Sequence, residues 1–91
     1  MVPEWTWDPE KARANLRKHG VSFAEAVIAL EDPLALTVPD RTREEERLVT
    51  VGQESEGRLI VVSWVPRGRV GRFLSARKAT SRERRSYEEI P

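Results

Sequence analysis

Apolar residues recur along this chain with two different periods, and the points where the period changes mark the structural elements. Trp5 and Trp7 alternate with Thr6, so residues 4–7 predict a short edge strand. Asp8 then offers an N-cap oxygen and Pro9 supplies the preset φ of a first helical position. Gly20 ends that helix, because glycine accepts the left-handed conformation at no steric cost. At ~100° per residue, Ala12 and Leu16 form a narrow apolar seam. A polar strip of Lys11, Asn15, Lys18 and His19 runs beside it, with Glu10, Arg13 and Arg17 on the far side. Ser22 and Glu25 predict a capping box for a second helix, with Val21 placed to staple against Ala26. Residues 26–30 are apolar nearly all round, which predicts a buried helix. Asp32-Pro33 stops it.

Residues 34–38 read as a strand and residues 40–46 as a charged loop. Three strands at hairpin spacing follow. Residues 47–52 alternate, and residues 54–57 turn the chain. Residues 59–62 are apolar at both parities, the mark of a central strand covered on both faces. Residues 66–68 make the next turn, and residues 69–78 form the last strand. Thr80 and Glu83 open a C-terminal helix that ends near Glu89. The expected architecture is one α+β domain over residues 1–91: two N-terminal helices packed on an antiparallel sheet of about four strands, with a C-terminal helix.

A 91-residue chain holds one core, and with 38% apolar and 34% charged residues that core is lean. There is no cysteine and one histidine, so no thiolate nucleophile, disulfide framework or multi-histidine metal site is expected. Neither a secretory signal nor a membrane-length apolar run is present, and a soluble cytoplasmic protein is expected, without membrane contact. The net charge of +1 conceals a segregation. Residues 58–85 carry nine basic side chains against one acidic, a balance of +8. The remainder, seven against fourteen, stands at −7. Such a layout draws a polyanion to one surface without a basic total. A plain solvated Arg-rich face is the other reading.

The motifs carry a resemblance. Trp7, Asp8, Lys11, Asn15, Leu16, Lys18, His19, Gly20, Val21 and Phe23 follow the pattern W-D-x-x-K-x-x-x-N-L-x-K-H-G-V-x-F. Asp32-Pro33, then Glu46-Arg47 before a strand closing in Gly52, continue it. Arg72, Ser75, Ala76, Arg77, Lys78, Ala79 and Thr80, then Glu83, Arg84 and Tyr87, complete it. Together they resemble the BrnT family of bacterial toxins, from type II toxin–antitoxin pairs. The departure is Phe73-Leu74, where two β-branched residues are expected. The resemblance implies a RelE-like fold and an mRNA endoribonuclease, ribosome-linked or free, that inhibits translation. It also implies a BrnA-type antitoxin with a ribbon-helix-helix segment, through which alone the complex would contact operator DNA.

Metal-free RNA cleavage needs a base for the 2′-hydroxyl proton, an acid for the leaving 5′-oxygen and cations for the developing charge. A single histidine excludes a two-histidine pair, so any second proton carrier is Lys, Tyr, Glu or water. Glu44, Glu45 and Glu46 are consecutive and would alternate direction on a strand, so no two-metal cluster is expected, and no cofactor. Lys18, His19 and Arg77 are the catalytic candidates. His19 can exchange a proton or bond the last helix carbonyls; Lys18 can hold phosphate or offset the helix dipole. Arg77 stands where the last strand meets a helix N-terminus, positioned for phosphate or for an ion pair with Glu46 or Glu83. Lys11, Arg47, Arg72, Lys78 and Tyr87 are the RNA- or phosphate-binding candidates, Tyr87 by stacking on a base or else as core. In a regular strand Arg72 and Arg77 have opposite parity; a bulge would bring them to one face. Trp5 and Trp7 read as core or antitoxin anchors. A non-catalytic RNA or ribosome binder and an antitoxin-bound co-repressor are the alternatives.

Overall fold

The computed structural model describes residues 4–41 and 46–89, so most of the expected charged loop lies outside the described residues. Strand β1 (Glu4–Thr6) leads into helices α1 (Pro9–His19) and α2 (Phe23–Leu30). Strands β2 (Leu36–Pro39), β3 (Leu48–Gln53), β4 (Leu59–Arg67) and β5 (Val70–Lys78) follow, and helix α3 (Ser81–Glu88) closes the chain.

The caps form locally, as their side chains dictate. Asp8 accepts from the N–H of Glu10 at 2.9 Å, and Gly20 stands at φ 70°. Thr80 and Glu83 make a complete capping box. At Ser22 only half of the expected box exists: the hydroxyl accepts from the N–H of Glu25, but the Glu25 carboxylate turns away to Ser55. That carboxylate ties the start of α2 to the β3–β4 turn instead of closing its own cap.

The sheet corrects the expectation of about four antiparallel strands. It has five, in the order β1-β5-β4-β3-β2, and β1 lies parallel to β5. The reason is long-range. The chain leaves β1 through two helices, and Trp5 is held by its packing on Trp64 and Phe73. The central place of β4 is as its pattern predicts, with residues 59–62 buried at both parities.

Helices α1 and α2 cover one face, around Val21, Phe23, Ala26, Ala29, Ile60, Val62, Phe73 and Ala76. Phe73 is the hub: the rings of Trp5, Trp7 and Phe23 lie 5.2, 5.4 and 5.6 Å from its own. The bulky ring of Phe73 thus fills the centre of the core. Across from it, Gly52 lets α2 approach the sheet, because a Cβ there would run into the Ala29 carbonyl. Gly52→Ala is expected to destabilise the fold by about 2–3 kcal/mol, read as a fall in Tm of about 10 °C or more. An unchanged melt would show that α2 stands off from β3.

One irregularity governs the functional face. The β4–β5 register shifts at Ser63/Trp64: Ser63 pairs with Ser75 but Trp64 pairs with Phe73, so Leu74 has no partner. Beyond that bulge the side-chain alternation is reset. Arg72, Ser75 and Arg77 therefore share the outer face, away from α1 and α2, as the partners of Val65, Ser63 and Val61. Helix α3 crosses one end of that face, along the row Arg77, Val61, Val51 and Leu36.

Candidate functional site

Strand β1 pairs with β5 only as far as Arg72, which leaves the edge of β5 beyond it without a neighbouring strand. Asn15 takes the place of that strand. Its Nδ2 donates to the Ala76 carbonyl at 2.8 Å and to the Val21 carbonyl at 3.0 Å, and its Oδ1 accepts from the Ala76 N–H at 3.0 Å. The side chain is buried, so these bonds form out of competition with water. One amide thus fixes the rotation of α1 about its own axis.

That rotation sets the polar strip against the sheet edge. Lys11, Lys18 and His19 line a hollow of about 280 Å³ with Ala14, Asn15, Leu74 and Ser75. The far end of α1 is braced from the β3–β4 turn. Arg58 donates to the Gly20 carbonyl at 3.3 Å and pairs with Glu54, whose side chain is fully buried. Burial would raise the Glu54 carboxyl, but the backbone N–H and guanidinium of Arg58 hold it below its ordinary range. Arg58, Glu54 and Ser75 are not among the site residues expected from the sequence. The acid and base four apart around Gly57 were the available signal for the first two.

The other candidates disperse. Lys11, Lys18 and His19 meet in the hollow; Arg72, Arg77 and, by the alternation of β3, Arg47 lie on the outer face. Lys78 pairs with Ile60 and lies on the opposite face of the sheet from Arg77. Tyr87 is at the far end, donating its hydroxyl to Asp32 at 2.7 Å beside Pro33 and Leu36. That hydrogen bond, with burial and the charge of Asp32, pushes the phenol up to about 12. Such a phenol is a poor proton carrier at neutral pH.

Arg77 forms the ion pair that was one of its two expected roles. Its guanidinium donates to both Glu83 carboxylate oxygens, at 2.8 and 2.9 Å. The hydrogen bond from Arg77, opposed by burial and helped by the Thr80 N–H, lowers Glu83 to about 2. A depressed carboxylate stabilises the fold above its unfolded value, and that contribution disappears as pH falls through the folded value. Acid should therefore loosen α3 between about pH 4.5 and pH 2. Glu83→Gln should flatten that limb of the pH–Tm curve. A limb of the same depth in the variant would assign it to other carboxylates.

A buried amide clamp, a hollow lined by two lysines and one imidazole, and an arginine-bearing sheet face concentrate positive charge on one side of a small α+β domain. The chain belongs to the BrnT family, the ribonuclease toxins of type II toxin–antitoxin systems, whose family model matches residues 7–83. Among solved structures, it is similar to the Brucella abortus ribonuclease toxin BrnT, known from a 1.1 Å crystal structure. The two share 28% identity and a TM-score of 0.70, over 87% of this chain and 99% of that one. No curated protein matches it by sequence. No helix among the described residues is long and apolar enough to cross a membrane.

Proposed function

We propose that this ribonuclease toxin is a metal-independent endoribonuclease that cuts mRNA at the α1–β5 hollow and so inhibits translation in the cytoplasm. The observation that carries the reading is the hollow's lining: two lysines and the chain's one histidine, held beside the Ser75 strand edge by Asn15. Lys11 and Lys18 supply positive charge where a phosphorane would accumulate negative charge, which supports electrostatic catalysis by side chains. Imidazole is the side-chain type that exchanges protons around neutrality, so His19 takes one proton transfer. For the second, Tyr87 is tied to Asp32 and Glu83 to Arg77. Lys11 or Lys18, which line the hollow with His19, or water is left.

The same reading gives the toxin a RelE-like relationship, supported by two N-terminal helices on one sheet face and a third across the other. Its antitoxin is a BrnA-type ribbon-helix-helix protein, and operator DNA is contacted through that partner. The exposed side of α2 supports this, since Ala24 and Ile28 offer no hydrogen-bonding side chain to read base edges. The deciding experiment incubates the antitoxin-free protein with a long RNA in EDTA and maps the product ends. Internal cuts leaving 2′,3′-cyclic phosphates are expected. RNA left intact, also in the presence of translating ribosomes, would refute cleavage and leave a binding module.

A further inference from the structure

We propose that Arg72 and Arg67 form a phosphate track that leads from the α1–β5 hollow down the outer face of the sheet. Along it the protein holds single-stranded RNA on one side of the cleaved bond. The inference rests on the cleavage reading above and gives the substrate a minimum length and a direction.

The bulge makes the track. With Leu74 out of register, Ser75 and Arg72 become successive outer-face residues of β5, one pleat or roughly 7 Å apart. Ser75 also lines the hollow, so Arg72 is the first outer-face cation met on leaving it along the strand. The next step crosses to β4. Val65 is the partner of Arg72, and Arg67 follows Val65 by two residues on the same face, opposite Val70. Ser75, Arg72 and Arg67 thus descend the sheet in two steps, each comparable to the distance between phosphates of an extended strand.

Charge gives the track its direction. Among the described residues, neither Arg67 nor Arg72 makes an ion pair, and Arg67 is exposed. On the other side of Ser75, the charge of Arg77 is already matched by Glu83, which accepts from both of its terminal nitrogens, so that arginine draws a phosphate less strongly. Thr6, a neutral hydroxyl, adjoins Arg72 in the sheet; Glu4, the nearby acid, lies beyond Val70 at the edge. Planar guanidinium groups bind phosphate oxygens two at a time, which suits a backbone read for charge and not for sequence.

Binding can be separated from catalysis by working in a His19→Gln background. Its affinity would be measured for oligouridines of about four and about twelve nucleotides, a span of site sizes common among single-strand binders. The longer strand is expected to bind at least about 10-fold tighter, with a steeper salt dependence. Adding Arg67→Ala and Arg72→Ala should abolish that advantage and reduce the salt slope for the longer strand by about 1.4, at ~0.7 per contact. The double lysine variant, R67K with R72K, should restore the salt slope, and all variants should melt like the parent. Equal losses on both lengths, or an unchanged slope, would overturn the track. So would variants that bind RNA normally but lose affinity for the antitoxin, which would assign this face to a protein partner. Length-dependent binding by a protein that cuts no RNA would sink the cleavage reading and keep the track; cleavage indifferent to length would do the reverse.

Discussion

Asn15→Ala is expected to cost about 3–5 kcal/mol of folding stability, an unusually large loss for a polar residue on a surface helix. The substitution strands three buried backbone groups at once: the Ala76 N–H and carbonyl and the Val21 carbonyl. Each such group left without a partner costs about 1–3 kcal/mol, with some relief where water can reach it. A domain of this size is stable by only about 5–15 kcal/mol. Tm should therefore fall by about 15–30 °C, and urea titration should show a matching drop in midpoint. Asn15→Asp should be nearly as harmful, because its second oxygen faces two carbonyls and can donate to neither while ionised. A loss under about 1 kcal/mol in either variant would show that α1 is held by its apolar seam alone.

His19→Gln should leave the fold intact and slow cleavage by about 10²–10⁴-fold, the usual contribution of one positioned proton carrier. Glutamine can still bond a nearby carbonyl, so the variant keeps whatever capping role the imidazole has at the α1 terminus. The comparison is therefore between rates at equal stability. RNA affinity should change little, since Lys11 and Lys18 still line the hollow. A cleavage rate within about 2-fold of the parent would remove His19 from the mechanism and leave the lysines of the hollow and water to share both transfers.

The elements and caps were legible because their signals act within a few residues: Asp8 before Pro9, Gly20 after the seam, Thr80 three before Glu83. The hollow was half legible. Helical spacing placed Lys11, Asn15, Lys18 and His19 on one strip, but not what the strip faces. Three features that decide the answer depend on residues far apart in sequence. The parallel partner of β1 is set by aromatic packing across more than half the chain. The unpaired Leu74 leaves no mark in an alternation that reads as regular, so the common face of Arg72 and Arg77 was a stated condition and not a result. Glu25 looked like a capping-box acid because Ser22 stands three before it; Ser55, thirty residues on, competes for the same carboxylate and wins.

The amide of Asn15 also has a bearing on self-association. A sheet with two open borders can add copies of itself at both and grow without end. Here one border is a three-residue strand continued by a side chain, so the N–H and carbonyl of Ala76 are already occupied. The opposite border, β2, is only four residues long and closes in Pro39, which has no N–H to offer. Growth by strand addition therefore finds only a short template on either side, and the same asparagine that orients the cationic helix helps keep the solitary molecule from polymerising.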